Sequence, residues 1–267
     1  MLQGGLAFYS GVGQGGQMAG AGVRMQRRMK LGLAFLALMV AAACGGGGSN
    51  PGAPSAVVPT PVPVPTPAPT PTAAVARYSV TFESTWRAET HPTDFPSDAH
   101  YSRLVGGTHS SRARFWAAGQ PASAGIQAMA ERGRTSPLDA EVQAAIAAGT
   151  AYSLILGEAI DRSPGTATAE FEIGRDHPLV SLVTMVAPSP DWFVGVDSLS
   201  LVESGDWAAV KTVTLYPWDA GTDSGLSYDS PDVDTQPRQP IHLLEGDPVA
   251  VGGRVAPFGS FSFRRVN

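Results

Sequence analysis

Cysteine is almost missing from this sequence. The 267 residues contain one, Cys44, and no cysteine follows it. Residues 45–267 therefore cannot form a disulfide bond with one another, bind a metal through thiolates or use a cysteine nucleophile. Stability and any metal site in this part of the chain must come from packing, hydrogen bonds and oxygen or nitrogen ligands.

Charge is also scarce, and positive charge is concentrated at one end. Charged residues make up 15% of the chain, and the net charge is −5. Residues 1–43 hold four basic residues and no acidic one, so the remainder carries 14 basic and 23 acidic residues, a net charge of −9. Binding to nucleic-acid phosphates requires clustered lysine and arginine. We therefore expect no nucleic-acid partner.

A short apolar run, residues 31–40, follows three basic residues near the N-terminus. It is too short to cross a bilayer of ~30 Å, which takes roughly 20 residues, but it suits the hydrophobic region of a secretory signal. Three alanines and then Cys44 come next. This order resembles a bacterial lipoprotein signal, although Ala41 stands where that pattern prefers leucine. We predict a signal peptide over residues 25–43, a lipid on Cys44 and attachment to the membrane; the alternative is an ordinary cleaved signal that leaves a free cysteine. Residues 1–24 are Gly-rich, and we interpret them as the product of an upstream start codon.

Proline is dense between the cysteine and the first strand pattern, in GGGGSNPGAPSAVVPTPVPVPTPAPTPTAA. Because proline fixes φ and removes a backbone donor, this composition favours extended polyproline II, at ~3.1 Å per residue. We predict a disordered Gly/Pro-rich tether over residues 44–75 that holds a folded domain, residues 76–267, away from the membrane. A proline-rich recognition motif is the alternative interpretation.

Strand patterns dominate the predicted domain. In RYSVTFES, Tyr78, Val80 and Phe82 alternate with polar residues, which is typical of a half-buried strand. The same alternation recurs in TATAEFEI, KTVTLY and GSFSF. LVSLVTMV, in contrast, is apolar almost throughout, as is typical of a strand covered on both faces. We predict a mainly β fold, an antiparallel β-sandwich with one or two short helical insertions.

Two segments have helical periodicity instead. SAGIQAMAERG places its apolar residues on one helical face and ends at Gly133. TSPLDAEVQAAIAAG has apolar residues at i, i+4 and i+8, with Ser136 predicted as N-cap, Pro137 at the first helical position and Gly149 at the end.

Aspartates occur in two loops that also carry proline and aromatic residues. LYPWDAGTDSG contains Asp219 and Asp223, and APSPDWFVGVDSL contains Asp191. Ca²⁺ takes six to eight oxygen ligands at ~2.3–2.6 Å, so carboxylates on neighbouring loops could hold it. Aspartate is also common in turns, where it bonds to the backbone, and the spacing alone leaves both interpretations open.

Three aromatic residues flank these aspartates. They are Trp192, Tyr216 and Trp218. They are a possible ligand rim, for example a platform for a sugar, but the pattern favours aromatics that pack at the rim.

Three long motifs occur in a fixed order: TFESTWRAETHPTDFPSDAHYSRLVGGTH, APSPDWFVGVDSLSL and LYPWDAGTDSGLSYDSPD. Together they resemble the spondin domain, the N-terminal module of the animal matrix proteins F-spondin and mindin, over residues 76–265. The resemblance implies an antiparallel β-sandwich, similar to calcium-dependent lipid-binding sandwiches, with one bound calcium ion. It implies that Asp191, Asp219 and Asp223 are calcium ligands, and that the domain acts in adhesion by binding a surface protein or glycan.

Other chemistry is poorly supported by the spacing. His91, His100 and His109 lie too far apart along the chain for a usual zinc pattern, and no G-x-S-x-G turn or selected carboxylate pair indicates a hydrolase. We expect no enzyme. We predict a calcium-binding adhesion module anchored in the cell envelope, at the outer membrane or cell surface. A structural envelope lipoprotein without a soluble ligand, or an uncharacterised hydrolase, is the alternative.

Overall fold

The computed structural model describes residues 73–267, and most of their strands belong to two antiparallel sheets. The predicted start artefact, the signal peptide, Cys44 and nearly all of the predicted tether lie outside the described residues. The strands are β1 Val75–Ser84, β2 His100–Tyr101, β3 Val105–His109, β4 Ala151–Leu156, β5 Thr166–Gly174, β6 Leu179–Ala187, β7 Trp192–Ser200, β8 Val202–Glu203, β9 Asp206–Trp207, β10 Val210–Leu215, β11 Trp218–Asp219, β12 His242–Leu243, β13 Ala250–Val251, β14 Arg254–Val255 and β15 Gly259–Arg265. The helices are α1 Ala124–Arg132 and α2 Leu138–Ala147.

The first sheet has the order β10-β15-β1-β5. Its four strands are the four alternating segments that were predicted to be strands. On β1, Tyr78, Val80 and Phe82 are fully buried. Val80 and Phe82 stand opposite Phe263 and Phe261 of β15. Because successive side chains of a strand point to opposite faces, this register gives the sheet one apolar face.

The second sheet has the order β12-β11-β7-β6-β3-β4, with β2 added to β6. β6, the apolar segment, is covered on both sides as predicted. Its residues Val180, Leu182 and Val186 pack in the core between the sheets, whereas Val183 and Met185 pack in a second core with the helices. The layers are therefore sheet, sheet and helices, an antiparallel sandwich with two short helices.

The two helices begin differently. At α1 the Ser123 hydroxyl accepts a hydrogen bond from the Ile126 N–H, and Gly133 ends the helix in the left-handed conformation, as predicted. The predicted start of α2 is wrong by one residue. Pro137 is the N-cap, because its φ of −94° and ψ of 8° are not helical, and Ser136 does not cap the helix. No helix within residues 73–267 has the length and apolarity needed to span a membrane.

Candidate functional site

Sheet pairing brings the two aspartate-bearing loops together. β11 consists of two residues, and Asp219 in it pairs with Trp192, the first residue of β7. Asp191 comes directly before β7, and its carbonyl accepts a hydrogen bond from the Ala220 N–H at 3.2 Å. The aspartates predicted to share a site therefore lie on adjacent segments.

Asp191 is fully buried, and its two carboxyl oxygens differ in their surroundings. Oδ2 accepts hydrogen bonds from the Thr222 N–H at 2.7 Å, the Thr222 hydroxyl at 3.1 Å and the Asp223 N–H at 3.0 Å. Oδ1 is buried without a hydrogen-bond partner. Burial, and then the nearby charge of Asp219, raise the pKa of Asp191 to about 6.

Asp219 faces the same region from β11. Its Oδ1 accepts a hydrogen bond from the Gly221 N–H at 2.6 Å, and the ring nitrogen Nδ1 of His242 lies 3.9 Å from that oxygen. Burial raises the pKa of Asp219. Two carboxyl groups that are both costly to ionise thus lie next to each other.

The carboxyl group of Asp223 bonds to the backbone of its own loop. Its Oδ1 accepts a hydrogen bond from the Gly225 N–H at 2.8 Å, and its Oδ2 accepts one from the Val233 N–H at 2.8 Å. Both oxygens are therefore occupied by backbone donors. Asp223 ties together the two ends of the loop that follows it.

The donor atoms fit a hard cation. Asp191 Oδ1 is a buried carboxyl oxygen with no donor to satisfy it, and Asp219, whose side chain is 14% exposed, supplies a second carboxyl group. Oxygen ligands of this kind, completed by carbonyls and water, are the ones that Ca²⁺ takes. Within the part of the chain that the structure describes, no three His, Cys, Asp or Glu side chains form a ready-made metal group. Asp191 and Asp219 are thus the residues whose surroundings best fit the ion, and Asp223, predicted as the third ligand, also bonds to the backbone of the loop beside them.

The three aromatic residues predicted as a rim occupy two places. Trp192 is 1% exposed and packs against Tyr228 in the core, so it lies beneath the aspartate-bearing loops. Tyr216 and Trp218 line a cavity of about 370 Å³. Asp219 is not part of that cavity, because neighbouring residues of β11 point to opposite faces.

This cavity, which we call the aromatic groove, is lined by Trp116, Val213, Tyr216, Trp218 and Leu243 among others. The Trp116 ring meets that of Trp218 edge to face at 5.3 Å, and its indole N–H donates to the Val196 carbonyl at 3.1 Å. No sequence pattern indicated Trp116 or Leu243. They come from distant parts of the chain, and no local pattern connects them to Trp218.

Comparison with known proteins gives a consistent result. Residues 76–249 match the family model described as Spondin_N. Spondin-2 of Homo sapiens is 40% identical over 172 residues, which cover 63% of this chain and 52% of that protein. Spondin-1 of Rattus norvegicus is 38% identical over 181 residues, covering 63% and 22%, and Spondin-1 of Xenopus laevis is 33% identical over 208 residues, covering 72% and 25%. The chain therefore spans about half the length of Spondin-2 and a quarter or less of Spondin-1. The matched range includes both aspartate-bearing loops, and the chain belongs to the spondin N-terminal domain family.

Proposed function

We propose that this chain is an extracellular binding module for adhesion, in which calcium organises one end of the sandwich and the aromatic groove takes a surface protein or glycan. The observation that carries the proposal is Asp191, whose buried Oδ1 has no partner beside the carboxyl group of Asp219. Membership of the spondin family supports a binding role. The predicted signal and Cys44 support a position outside the cytoplasm, held to the envelope by a lipid.

The ion would act by neutralising the two like charges of Asp191 and Asp219. Asp191 is fully buried and the Asp219 side chain is 14% exposed, and the charge of Asp219 raises the cost of ionising Asp191. A divalent cation neutralises such a pair and supplies the partner that Oδ1 lacks. Since Asp219 belongs to β11, the ion also stabilises the strand that presents Trp218 to the aromatic groove. The calcium site and the aromatic groove therefore lie on opposite faces of the short strand β11.

The groove suits binding more than catalysis. Its lining is mostly apolar and aromatic, with Tyr216 42% exposed and the Asp197 carboxyl group at one side. Ligand sites usually combine an apolar lining with a few polar groups that orient the ligand. A pyranose ring, or an apolar side chain of a surface protein, matches this lining.

Calcium calorimetry tests the proposal. The measurement uses the processed chain from residue 44 with Cys44→Ser, which removes only the thiol that would carry lipid. After chelation, we expect one saturable site and a higher melting temperature in calcium, because a ligand that binds only the folded state stabilises it. Asp191→Asn and Asp219→Asn should each abolish the site.

Two controls separate the parts of this proposal. Asp161→Asn changes an exposed carboxyl group on another loop and should leave calcium binding unchanged. Trp218→Ala should keep the calcium site but lose capture of glycans or surface proteins that the parent retains. Absence of heat in the parent, or an unaltered site in Asp191→Asn, would show that these aspartates are turn residues only.

A further inference from the structure

Strand β10 forms an open edge of the first sheet. It pairs with β15 on one side, where the carbonyls of Ala209 and Leu215, at its two ends, accept hydrogen bonds. Because the backbone groups of successive strand residues point to alternate sides, the N–H and C=O groups of Val210, Thr212 and Thr214 point away from β15. Among the described residues, none forms a hydrogen bond with these groups. The edge therefore presents unpaired donors and acceptors in a regular row.

The opposite edge of the same sheet, β5, is covered instead. The Thr168 N–H donates to Glu158 Oε2 at 3.0 Å, and the Thr168 carbonyl accepts from the Glu158 N–H at 3.0 Å. Further along β5, the Glu172 carbonyl accepts hydrogen bonds from the hydroxyls of Ser153 and Thr108. Of the two edges of this sheet, β10 is thus the one at which a further strand can pair.

The side chains of β10 do not shield its edge. Proteins usually protect an open edge with charged side chains or proline, since unpaired backbone groups attract another strand. The outward side chains of β10 are those of Val210, Thr212 and Thr214, all exposed and uncharged. Its one charged residue, Lys211, is paired with Glu203 at 2.8 Å. Valine and threonine also have high strand propensity, so this composition favours pairing with a further strand.

The open edge borders the aromatic groove. Val213 and Thr214 of β10 line the groove from the first sheet, and Val196 and Leu199 of β7 line it from the second. The groove therefore lies between the edge of one sheet and the other sheet. A strand that pairs with β10 would lie along this groove, with every second side chain pointing into it. In strand addition of this kind, backbone hydrogen bonds supply affinity and pockets for alternate side chains supply specificity.

Charge indicates which kind of chain would pair there. Asp197 is the one charged residue among those that line the groove. Its contacts with the Ser198 hydroxyl at 2.7 Å and with Arg114 Nε at 3.7 Å both involve Oδ1, so Oδ2 is left to a cationic side chain. Residues 44–267 carry a net charge of −9. A second copy of the chain would bring the same negative charge to the edge, whereas a basic peptide would complement it.

We propose that the aromatic groove takes an extended basic peptide of a partner protein, which adds to the first sheet as a strand beside β10. Its alternate apolar side chains would enter the groove, and a lysine or arginine would pair with Asp197. This inference rests on the groove of the proposed function and selects between the two ligands named there. A glycan could stack on the aromatic rings but would leave the row of backbone groups on β10 unpaired. An extended peptide satisfies both features.

Peptide selection on the processed chain, with Cys44→Ser, tests this inference. The probe is a library of short capped peptides with leucine, valine or phenylalanine at every second position and lysine, arginine or threonine between, screened in calcium. The tightest peptide is then made again with one backbone N-methyl group at a time, which removes one N–H donor and keeps every side chain. We expect weaker binding at every second position only, because alternate N–H groups of an added strand face β10.

A matched pair of variants tests the same edge from the protein side. Thr212→Pro removes one outward N–H and leaves the side that faces β15 intact, a change that edge strands tolerate. We expect roughly tenfold weaker peptide binding, because the peptide carbonyl opposite this position loses its donor. Thr212→Val keeps the N–H and should bind like the parent. Circular dichroism checks that both variants melt cooperatively, and if Thr212→Pro does not, the N-methyl scan decides alone.

Other results would overturn the added strand. An N-methyl scan without a period of two would do so, as would equal peptide binding by the parent and a folded Thr212→Pro. Failure of every peptide would do so too, while calcium binding and glycan capture that Trp218→Ala abolishes would leave the proposed function standing. A dimer of the parent that Thr212→Pro dissolves in analytical ultracentrifugation would assign the edge to a second copy instead. If the parent binds no calcium and captures neither peptide nor glycan, both proposals fail together.

Discussion

The Asp191 side chain makes three hydrogen bonds through one oxygen and none through the other, and this asymmetry makes stability depend on pH. Its pKa in the folded state is about 6, above the ordinary value of 3.8. Between these two values the folded state binds more protons than the unfolded state. The free energy of unfolding of the calcium-free protein therefore falls, through this group, as the pH rises from about 4 to about 6.

Asp191→Asn should reveal this contribution. An amide oxygen can accept the same three hydrogen bonds but never ionises. In chelator at about pH 8, we expect the variant to be more stable than the parent by up to roughly 3 kcal/mol, which is the free energy that corresponds to this pKa shift. The difference should vanish by about pH 4, where both side chains are neutral. Urea unfolding of both proteins across this range measures it.

Histidine contributes the opposite trend, so the variant must be compared with its parent at each pH. Burial lowers the pKa of His91 and of His109, and both are therefore neutral in the fold when the unfolded chain has begun to protonate them. Stability is lost through these two groups as the pH falls below about 6.5. Both histidines are present in the parent and in the variant, so their contributions cancel in the difference between the two free energies of unfolding. A stability difference between parent and Asp191→Asn that is constant with pH would contradict the prediction.

At the scale of elements, the two helices are joined by a shared cap. The Ser123 hydroxyl accepts from the Ile126 N–H and donates to Glu141 Oε2 at 2.7 Å, while Glu141 Oε1 accepts from the Gly125 N–H at 2.7 Å. A residue of α2 thereby satisfies donors at the start of α1. The first turn of α1 depends on both side chains.

We expect Ser123→Ala and Glu141→Ala each to lower the free energy of unfolding by about 1 kcal/mol, the usual value of a helix cap. Because the two side chains contact each other, the double variant should lose less than the sum of the single ones. Chemical denaturation of the four proteins gives this cycle. Gln143→Ala, an exposed change in the same helix, should stay within about 0.5 kcal/mol of the parent. Fully additive losses would mean that the two caps act independently.

Local pattern predicted the elements well where each strand has one clear face. The four alternating segments became the four strands of the first sheet, and the apolar segment became β6. β3 was missed because Gly106 and Gly107 give it no pattern. A side chain on Gly106 would collide with the backbone carbonyl of Ser181 on β6, so the glycine is required by close packing between strands that local sequence does not reveal.

The three candidate calcium ligands stay a prediction. Asp191, Asp219 and Asp223 came from two motifs and a family resemblance, and sheet pairing does place them on adjacent segments. The pattern could not show that the Asp223 oxygens are taken by backbone donors, since those donors belong to its own loop. It also could not place Leu226 at an exposed tip, because a single leucine in a loop carries no periodic signal.

At the scale of the whole molecule, the last strand of the chain, β15, connects the other strands of the first sheet. β15 lies between β10 and β1, with Phe261 and Phe263 fully buried in the core. The match to the family model ends at residue 249, before this strand begins. The range matched by the family model therefore omits a central strand of the structure.

A chain that ends at Ala256 should consequently fail to fold. It loses every β15 hydrogen bond to both neighbours, together with Phe258, Phe261 and Phe263, all of them fully buried. Removal of one buried phenylalanine side chain costs about 3–5 kcal/mol, and three of them reach the whole stability of an ordinary domain, about 5–15 kcal/mol. Circular dichroism should show no cooperative thermal transition for this chain, whereas one that lacks only Val266 and Asn267 should melt near the parent. A cooperative transition in the shorter chain would mean that the fold does not require β15.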